Sequence, residues 1–93
     1  MAFEFQWDPV KAASNLSRHG VAFADAATAF ADPLSITIPD PLHSRDETRF
    51  VLVARAHSGR LLVVVHVDRG QAIRLISARP ATRKERKTYE EFH

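Results

Sequence analysis

Two arginines, Arg74 and Arg79, are the residues whose type and placement most invite chemistry. They lie in an otherwise largely apolar run, Ile73-Arg74-Leu75-Ile76-Ser77-Ala78-Arg79, that reads as a β-strand. A guanidinium cannot be left dry without a partner, so this strand must open one face onto water or onto something anionic. A preceding run, Leu61-Leu62-Val63-Val64-Val65-His66-Val67, is apolar at nearly every position, as suits a strand buried on both faces. It carries one titratable group, His66. Beyond the arginines come a basic cluster, Arg83, Lys84, Arg86 and Lys87, and then Tyr89. Strand period two groups Arg74 with Ala72, Ile76 and Ala78, and Arg79 with Ile73, Leu75 and Ser77, at a strand end where it can swing out. His66 goes with Leu62 and Val64. Whether His66 faces the same side as Arg74 depends on strand register.

Each of these residues also has a purely structural explanation. Arg74 suits a cross-strand salt bridge with Asp68 or Glu47. Glu85 suits a capping box with Thr82, Tyr89 suits packing against a sheet, and the basic cluster suits a solvated helix face. Other chemistries find little support. The five histidines, His19, His43, His57, His66 and His93, lie in separate elements and form no H-x-x-x-H or H-E-x-x-H unit, so no metal or other cofactor is expected. There is no nucleophile elbow and no glycine-rich phosphate loop. Without cysteine there is no thiolate nucleophile and no disulfide. Asn15-Leu16-Ser17 matches a glycosylation acceptor, but it falls mid-helix in a chain with no export signal.

The elements that must position these residues follow from pattern. Phe3, Phe5 and Trp7 alternate with polar residues, a short strand. Asp8 and Pro9 suit the cap and first position of a helix over Pro9 to His19, with Val10, Ala13, Leu16 and Ser17 near one side and Gly20 as its left-handed stop. A second helix, about Ala22 to Ala31, carries an apolar stripe of Phe23, Ala26, Ala27 and Phe30. A strand with Leu34, Ile36 and Ile38 on one face ends at Pro39-Asp40-Pro41. The segment Leu42 to Glu47 reads as a polar loop. Arg49 to Arg55 is a strand with Phe50, Leu52 and Ala54 on one face and Val51 and Val53 on the other. A turn at His57-Ser58-Gly59-Arg60 leads to the two strands already described, which are joined around Asp68-Arg69-Gly70. Thr82 begins a C-terminal helix. The order β-α-α-β-β-β-β-α, with short turns between the last strands, predicts an antiparallel sheet covered by the paired N-terminal helices, an α+β fold in one domain over residues 1–93.

Composition bounds the function. The chain is 45% hydrophobic and 26% charged, as in an ordinary soluble globule. Neither a membrane span nor a signal peptide is evident, so the cytoplasm is the expected compartment. Residues 1–50 hold 4 Lys/Arg against 7 Asp/Glu, whereas residues 51–93 hold 9 against 4. The basic C-terminal half suggests an anionic partner.

Several segments also resemble the BrnT family of type II toxins. These are Phe5-Gln6-Trp7-Asp8-Pro9-Val10-Lys11-Ala12, Asn15, Arg18-His19-Gly20-Val21-Ala22-Phe23, Phe30-Ala31-Asp32-Pro33 and His43-Ser44. The most specific are Gly59-Arg60-Leu61-Leu62-Val63-Val64-Val65 and Ile73 to Arg79, followed by Glu85 and Tyr89. The similarity covers nearly the whole chain in order. It departs at Arg18, where the family more often has Lys, and at an extra Gln6. The resemblance implies a RelE-like fold, a ribonuclease that inhibits translation, and a BrnA-type antitoxin with a ribbon-helix-helix region through which the pair contacts operator DNA.

On that reading, metal-free RNA cleavage would use Arg74 and Arg79 to stabilise the phosphorane, with His66, Tyr89 or a strongly perturbed lysine as candidates for proton transfer. Arg83 and Lys84 would hold the RNA backbone, and Lys11 and His19, which match the family pattern, would line the same surface or face the antitoxin. Two other readings fit the same residues: a non-catalytic nucleic-acid-binding module acting in operon repression, and a protein-interaction module.

Overall fold

The computed structural model describes residues 3–41 and 47–92. The polar loop predicted over Leu42 to Glu47, including His43 and Ser44, lies mostly outside the described residues, as does His93. Five strands, β1 (Glu4–Gln6), β2 (Ile36–Pro39), β3 (Arg49–Arg55), β4 (Leu61–Arg69) and β5 (Ala72–Pro80), form one sheet in the order β1-β5-β4-β3-β2. Helices α1 (Pro9–His19) and α2 (Phe23–Thr28), the latter tightening into a 3₁₀ turn over Ala29–Ala31, cover one face. Helix α3 (Arg83–Glu91) lies against the other face, beside β3.

The sheet is mixed rather than antiparallel throughout. β2 to β5 form the expected antiparallel meander, but β1 runs parallel to β5 through Glu4↔Ala72, Phe5↔Ile73 and Gln6↔Arg74. The cause is the crossing made by α1 and α2. They carry the chain from one edge of the sheet to the other, and the meander then walks back until β5 meets β1. The β4–β5 turn is also tighter than the pattern predicts. The ladder continues to Arg69↔Ala72, leaving Gly70 and Gln71 as a two-residue loop, with Gly70 at φ 65°.

The core lies between the sheet and the N-terminal helices. Leu52 and Ala54 of β3, Leu62 and Val64 of β4, and Ile73, Leu75 and Ala78 of β5 meet Val21, Phe23, Ala26 and Ala29. Phe5, Trp7 and Phe30 pack at its margin, with Phe5 and Phe30 ring centroids 5.2 Å apart. The start and stop of α1 are as the sequence predicts. The Asp8 side chain accepts from Val10 N–H, Pro9 opens the helix, and Gly20 closes it at φ 69°.

The orientation of α1 reverses the expectation from its apolar residues. Val10 is 76% exposed and Leu16 52%, so that side faces outward. The inward side carries Asn15, which is 7% exposed. Beyond Arg74, β5 has no strand partner on its β1 side, and Asn15 supplies one. Its Nδ2 donates to the Ala78 carbonyl (2.8 Å) and to the Val21 carbonyl (2.9 Å), while its Oδ1 accepts from Ala78 N–H (3.0 Å). The side-chain amide thus pairs with Ala78 as a backbone unit would. Turning the helix to bury Leu16 would gain about 2 kcal/mol, but would leave three buried backbone groups unpaired at about 1–3 kcal/mol each. The hydrogen bonds win, and they also make Asn15 inaccessible as a glycosylation acceptor. Asn15→Ala is therefore expected to destabilise the protein by about 2–4 kcal/mol in urea unfolding, against less than about 0.5 kcal/mol for Leu16→Ala. Equal effects of the two substitutions would contradict this account.

Candidate functional site

The arrangement around Arg74 is set by an irregularity in β5. Val65 pairs with Ser77 but His66 pairs with Leu75, so Ile76 is a surplus residue, a β-bulge. Paired residues in an antiparallel ladder share a face. Arg74 therefore sits with Val67, Ser77 with Val65 and Arg79 with Val63, all on the outer face away from α1 and α2. Simple alternation places Arg74 and Arg79 on opposite faces; the bulge puts them on the same one. They remain about 15 Å apart along the strand.

The register also separates His66 from Arg74. His66 pairs with Leu75, on the helix-covered face, and is 4% exposed. Its ring stands edge-on to Phe30 (centroids 4.8 Å) and stacks on Phe50 (5.8 Å). Nδ1 has no hydrogen-bond partner among the described residues. Burial pushes the imidazole pKa below its usual 6.5, against the opposing pull of a Val64 backbone group and the Asp68 charge. The imidazole is thus part of the core, with the sheet between it and the arginines.

The outer-face residues differ in what they already hold. Arg79 is bound bidentately to Glu85, both bonds 2.8 Å, with side-chain exposures of 40% and 29%. Glu85 completes the predicted capping box as well, accepting from Thr82 N–H at 2.9 Å while Thr82 Oγ1 accepts from Glu85 N–H at 3.2 Å. The Arg79 bonds, helped by Thr82 and opposed by burial, hold the Glu85 carboxyl down to about 2. The same pairing raises the Arg79 pKa. Tyr89 is buried under α3, and its hydroxyl donates to Asp32 Oδ2 at 2.6 Å. Asp32 also accepts from Arg55 N–H and Leu34 N–H, both at 2.9 Å. Burial works to raise the Asp32 pKa, but these bonds outweigh it and the net shift is downward. Burial and the bond to Asp32 raise that of Tyr89. Arg55 lies over the Tyr89 ring, 5.8 Å from its centroid.

Arg74 is different. It is half-buried and makes no ion pair or side-chain hydrogen bond among the described residues. Of the two partners a cross-strand salt bridge could offer it, Asp68 and Glu47, neither is paired with it, and Glu47 binds Arg69 instead, at 2.8 Å. Arg83 and Lys84 are exposed in the first turn of α3. Lys84 and Tyr89 border a largely apolar groove of about 560 Å³ between α3 and the outer side of β2 and β3. Lys11 and His19 lie elsewhere, on α1 at the edge of β5, where they line a separate hollow with Arg18, Ile76 and Ser77. The eight predicted site residues therefore divide into an outer face, a core position and an edge.

Asn15, Asp32 and the Ile76 bulge organise this region and were not singled out for it by residue type or spacing. Asn15 and Asp32 do stand in the family-like segments, which is the signal the sequence offers for them. Arg60, within the most family-like segment, proves to donate to the Gly20 carbonyl at 2.9 Å, which caps α1. Among the described residues, no group of three or more His, Cys, Asp or Glu is placed to hold a metal ion, and no helix is long and apolar enough to cross a membrane.

The chain is similar to known proteins in sequence and in fold. The model of a family described as the ribonuclease toxin BrnT of type II toxin-antitoxin systems matches residues 7–85. The chain belongs to the BrnT family. Its fold is that of the Brucella abortus ribonuclease toxin BrnT, known from a crystal structure at 1.1 Å resolution, with a TM-score of 0.70 and 24% identity over 88% of this chain and 100% of that one. No curated protein matches. Membership of the BrnT family makes the chain a ribonuclease toxin of a type II toxin-antitoxin system, with an antitoxin as partner.

The buried imidazole gives a testable consequence. A folded-state pKa below 6.5 means that the unfolded chain takes up a proton first as pH falls. The His66 contribution to stability is complete above 6.5 and declines below it, by at most about 1.4 kcal/mol per pH unit. His66→Phe is expected to flatten that decline in urea unfolding at mildly acidic pH, above the range where the carboxylates titrate. An unchanged slope in the variant would sink the assignment.

Proposed function

We propose that this BrnT-family toxin is a metal-independent endoribonuclease whose scissile phosphate lies on the outer face of β5 against Arg74. One observation carries the reading. The bulge aligns Arg74, Ser77 and Arg79 on one face, and Arg74 alone among these arginines has no anion beside it among the described residues. A phosphorane carries more negative charge than the phosphodiester it comes from, so a guanidinium aimed at it stabilises the transition state more than the ground state.

Arg79 enters this scheme already paired. Its fork is filled by Glu85, so an incoming phosphate either shares the guanidinium or displaces the carboxylate. Arg83 and Lys84, in the following turn, extend the positive surface along the RNA backbone without reading its sequence. Tyr89 acts as a positioning residue through Asp32, fixing α3 over the sheet. His66, behind the sheet, stays outside the proton transfer. The 2′-oxygen attacks in line, so that its bond to phosphorus forms as the P–O5′ bond breaks to leave a 2′,3′-cyclic phosphate, and the 2′-hydroxyl proton passes through solvent water to the departing 5′-oxygen; orientation and arginine charge carry the catalysis. Cleavage of cytoplasmic RNA by this site would inhibit translation. A BrnA-type antitoxin, carrying a ribbon-helix-helix region for operator DNA, would neutralise it.

Cleavage of RNA by the purified chain tests the assignment. Arg74→Ala is expected to lower kcat by about 10²–10³-fold, and Arg74→Lys to recover part of the loss, because a point charge lacks the bidentate fork. Activity should persist in a chelator. Full activity in Arg74→Ala, or its disappearance with the chelator alone, would overturn the scheme. Tyr89→Phe separates positioning from proton transfer: it should cost about 1–2 kcal/mol of stability and change kcat by only a few-fold. A loss of 10²-fold or more with the fold intact would make Tyr89 a catalytic residue instead.

A further inference from the structure

The edge of β5 is interrupted in a particular place. β1 pairs with it only through Arg74, and Asn15 takes over at Ala78. Leu75, Ile76 and Ser77 lie between, with no strand partner on that side, and the bulge falls within this gap. Helix α1 runs alongside. Lys11, Ser14, Asn15 and Arg18 fall at i, i+3, i+4 and i+7 and so form one stripe. Because the buried Asn15 amide clamps the middle of that stripe to Ala78, Lys11 and Arg18 are held one turn to either side, about 10 Å apart along the helix axis. The result is a notch of about 210 Å³ lined by Lys11, Ser14, Arg18 and His19 from α1 and by Ile76 and Ser77 from β5.

The charge of this notch is one-sided. No acidic side chain lines it, and α1 contains none. The ion pairs found among the described residues, Arg69–Glu47 and Arg79–Glu85, lie elsewhere. Favourable interaction with the helix C-terminus accounts for Arg18 and His19 in the last turn, although Arg60 already occupies the Gly20 carbonyl there. It does not account for Lys11, which sits in the first turn, where the helix dipole opposes a cation. Two cations, an imidazole and the Ser14 hydroxyl around one small notch match a phosphate group. Ser77 belongs to the same outer face as Arg74, so the notch borders the path of any strand lying across β5.

We propose that this notch binds a second phosphodiester of the single-stranded RNA substrate, with Lys11 and Arg18 as its cationic walls, His19 and Ser14 as hydrogen-bonding groups, and Ser77 at its rim toward the outer face. Its choice of ligand rests on the ribonuclease reading above. The backbone is held here at one phosphate and is free to react at another, so the notch sets the register of the RNA on β5 and leaves the chemistry to Arg74.

Binding without cleavage provides the test. Fluorescence anisotropy with a labelled 2′-O-methyl RNA of about ten nucleotides, which has no free 2′-hydroxyl to attack, is followed across a series of salt concentrations. The full chain is compared with Lys11→Gln/Arg18→Gln, after urea unfolding shows equal stability. The double variant is expected to bind about tenfold more weakly at low salt, with the slope of log K against log salt smaller by about 0.7, the value for one single-strand phosphate contact. Lys11→Arg/Arg18→Lys, which keeps both charges, should restore the slope. An unchanged slope in the glutamine variant would overturn the proposal. So would His19 ring-proton shifts on adding inorganic phosphate in a protein whose RNA slope does not respond, since the notch would then be a site for free phosphate. Cleavage of unmodified RNA is measured in parallel. Cleavage with no slope change removes the notch and leaves the ribonuclease reading standing; a slope change without cleavage does the reverse.

Discussion

β5 carries one residue more than the length of β4 that it faces, and most of the candidate site depends on that surplus. Side chains alternate strictly along a regular strand, so Arg74 and Arg79, five positions apart, would point to opposite faces of the sheet. One of them would then enter the core among Leu62, Val64 and Phe23, where an unpaired guanidinium is far too costly to bury. Ile76 absorbs the mismatch. The ladder slips at Val65/His66, and both arginines and Ser77 come to the outer face while Leu75 and Ala78 stay inside. The same slip lies within the stretch of the β5 edge, beside α1, that the short β1 leaves unpaired. A single local insertion thus creates the charged face and borders the notch, with Ser77 between them.

The surrounding structure is fixed by polar groups that serve as extensions of the backbone. Asn15 pairs with Ala78 in place of a strand. Asp32 gathers the N–H groups of Leu34 and Arg55 and the Tyr89 hydroxyl, tying the turn before β2, the end of β3 and the last turn of α3. Glu85 joins the end of β5 to the start of α3 while capping that helix. In a chain of 93 residues with a modest core, such contacts do much of the orienting. They also persist over a broad pH range. With its pKa at about 2 rather than the usual 4.5, Glu85 contributes stability that is fully present above 4.5 and is lost only as pH falls toward 2. The histidine in the core, by contrast, makes the protein sensitive nearer neutrality.

Much of this was legible in the residues, and the failures have identifiable causes. The element order, the caps of α1 and α3, the buried β4 strand and the two faces of β3 all follow from local pattern, and the structure has them. The parallel pairing of β1 does not follow, because it joins the two ends of the sheet's path and no local pattern encodes a contact of that range. The outward turn of Val10 and Leu16 was hidden for a related reason: helix amphipathicity weighs apolar area, whereas Asn15 orients α1 through hydrogen bonds to a strand more than sixty positions away. The arginines were identifiable by type, but their common face was not, since period-two counting fails across a bulge. The face of His66 depends on register, which no local pattern fixes, and the register puts it in the core.

What each basic residue can contribute depends on the anions already beside it. Arg69 has Glu47, and Arg79 has Glu85 in both of its forward-facing bonds. A guanidinium so paired loses part of its gain on meeting a phosphate, because the carboxylate must be displaced or share its donors. Arg74 carries no such penalty among the described residues, and neither do Lys11 and Arg18. Two points of unspent positive charge therefore lie on either side of the same bulge, one on the outer face and one at the edge. A polyanion with regularly spaced phosphates can use both at once, whereas a small anion can use only one. That difference favours a strand of RNA over a mononucleotide as the ligand of this surface, and it makes orientation of the strand the main contribution the fold can offer to its cleavage.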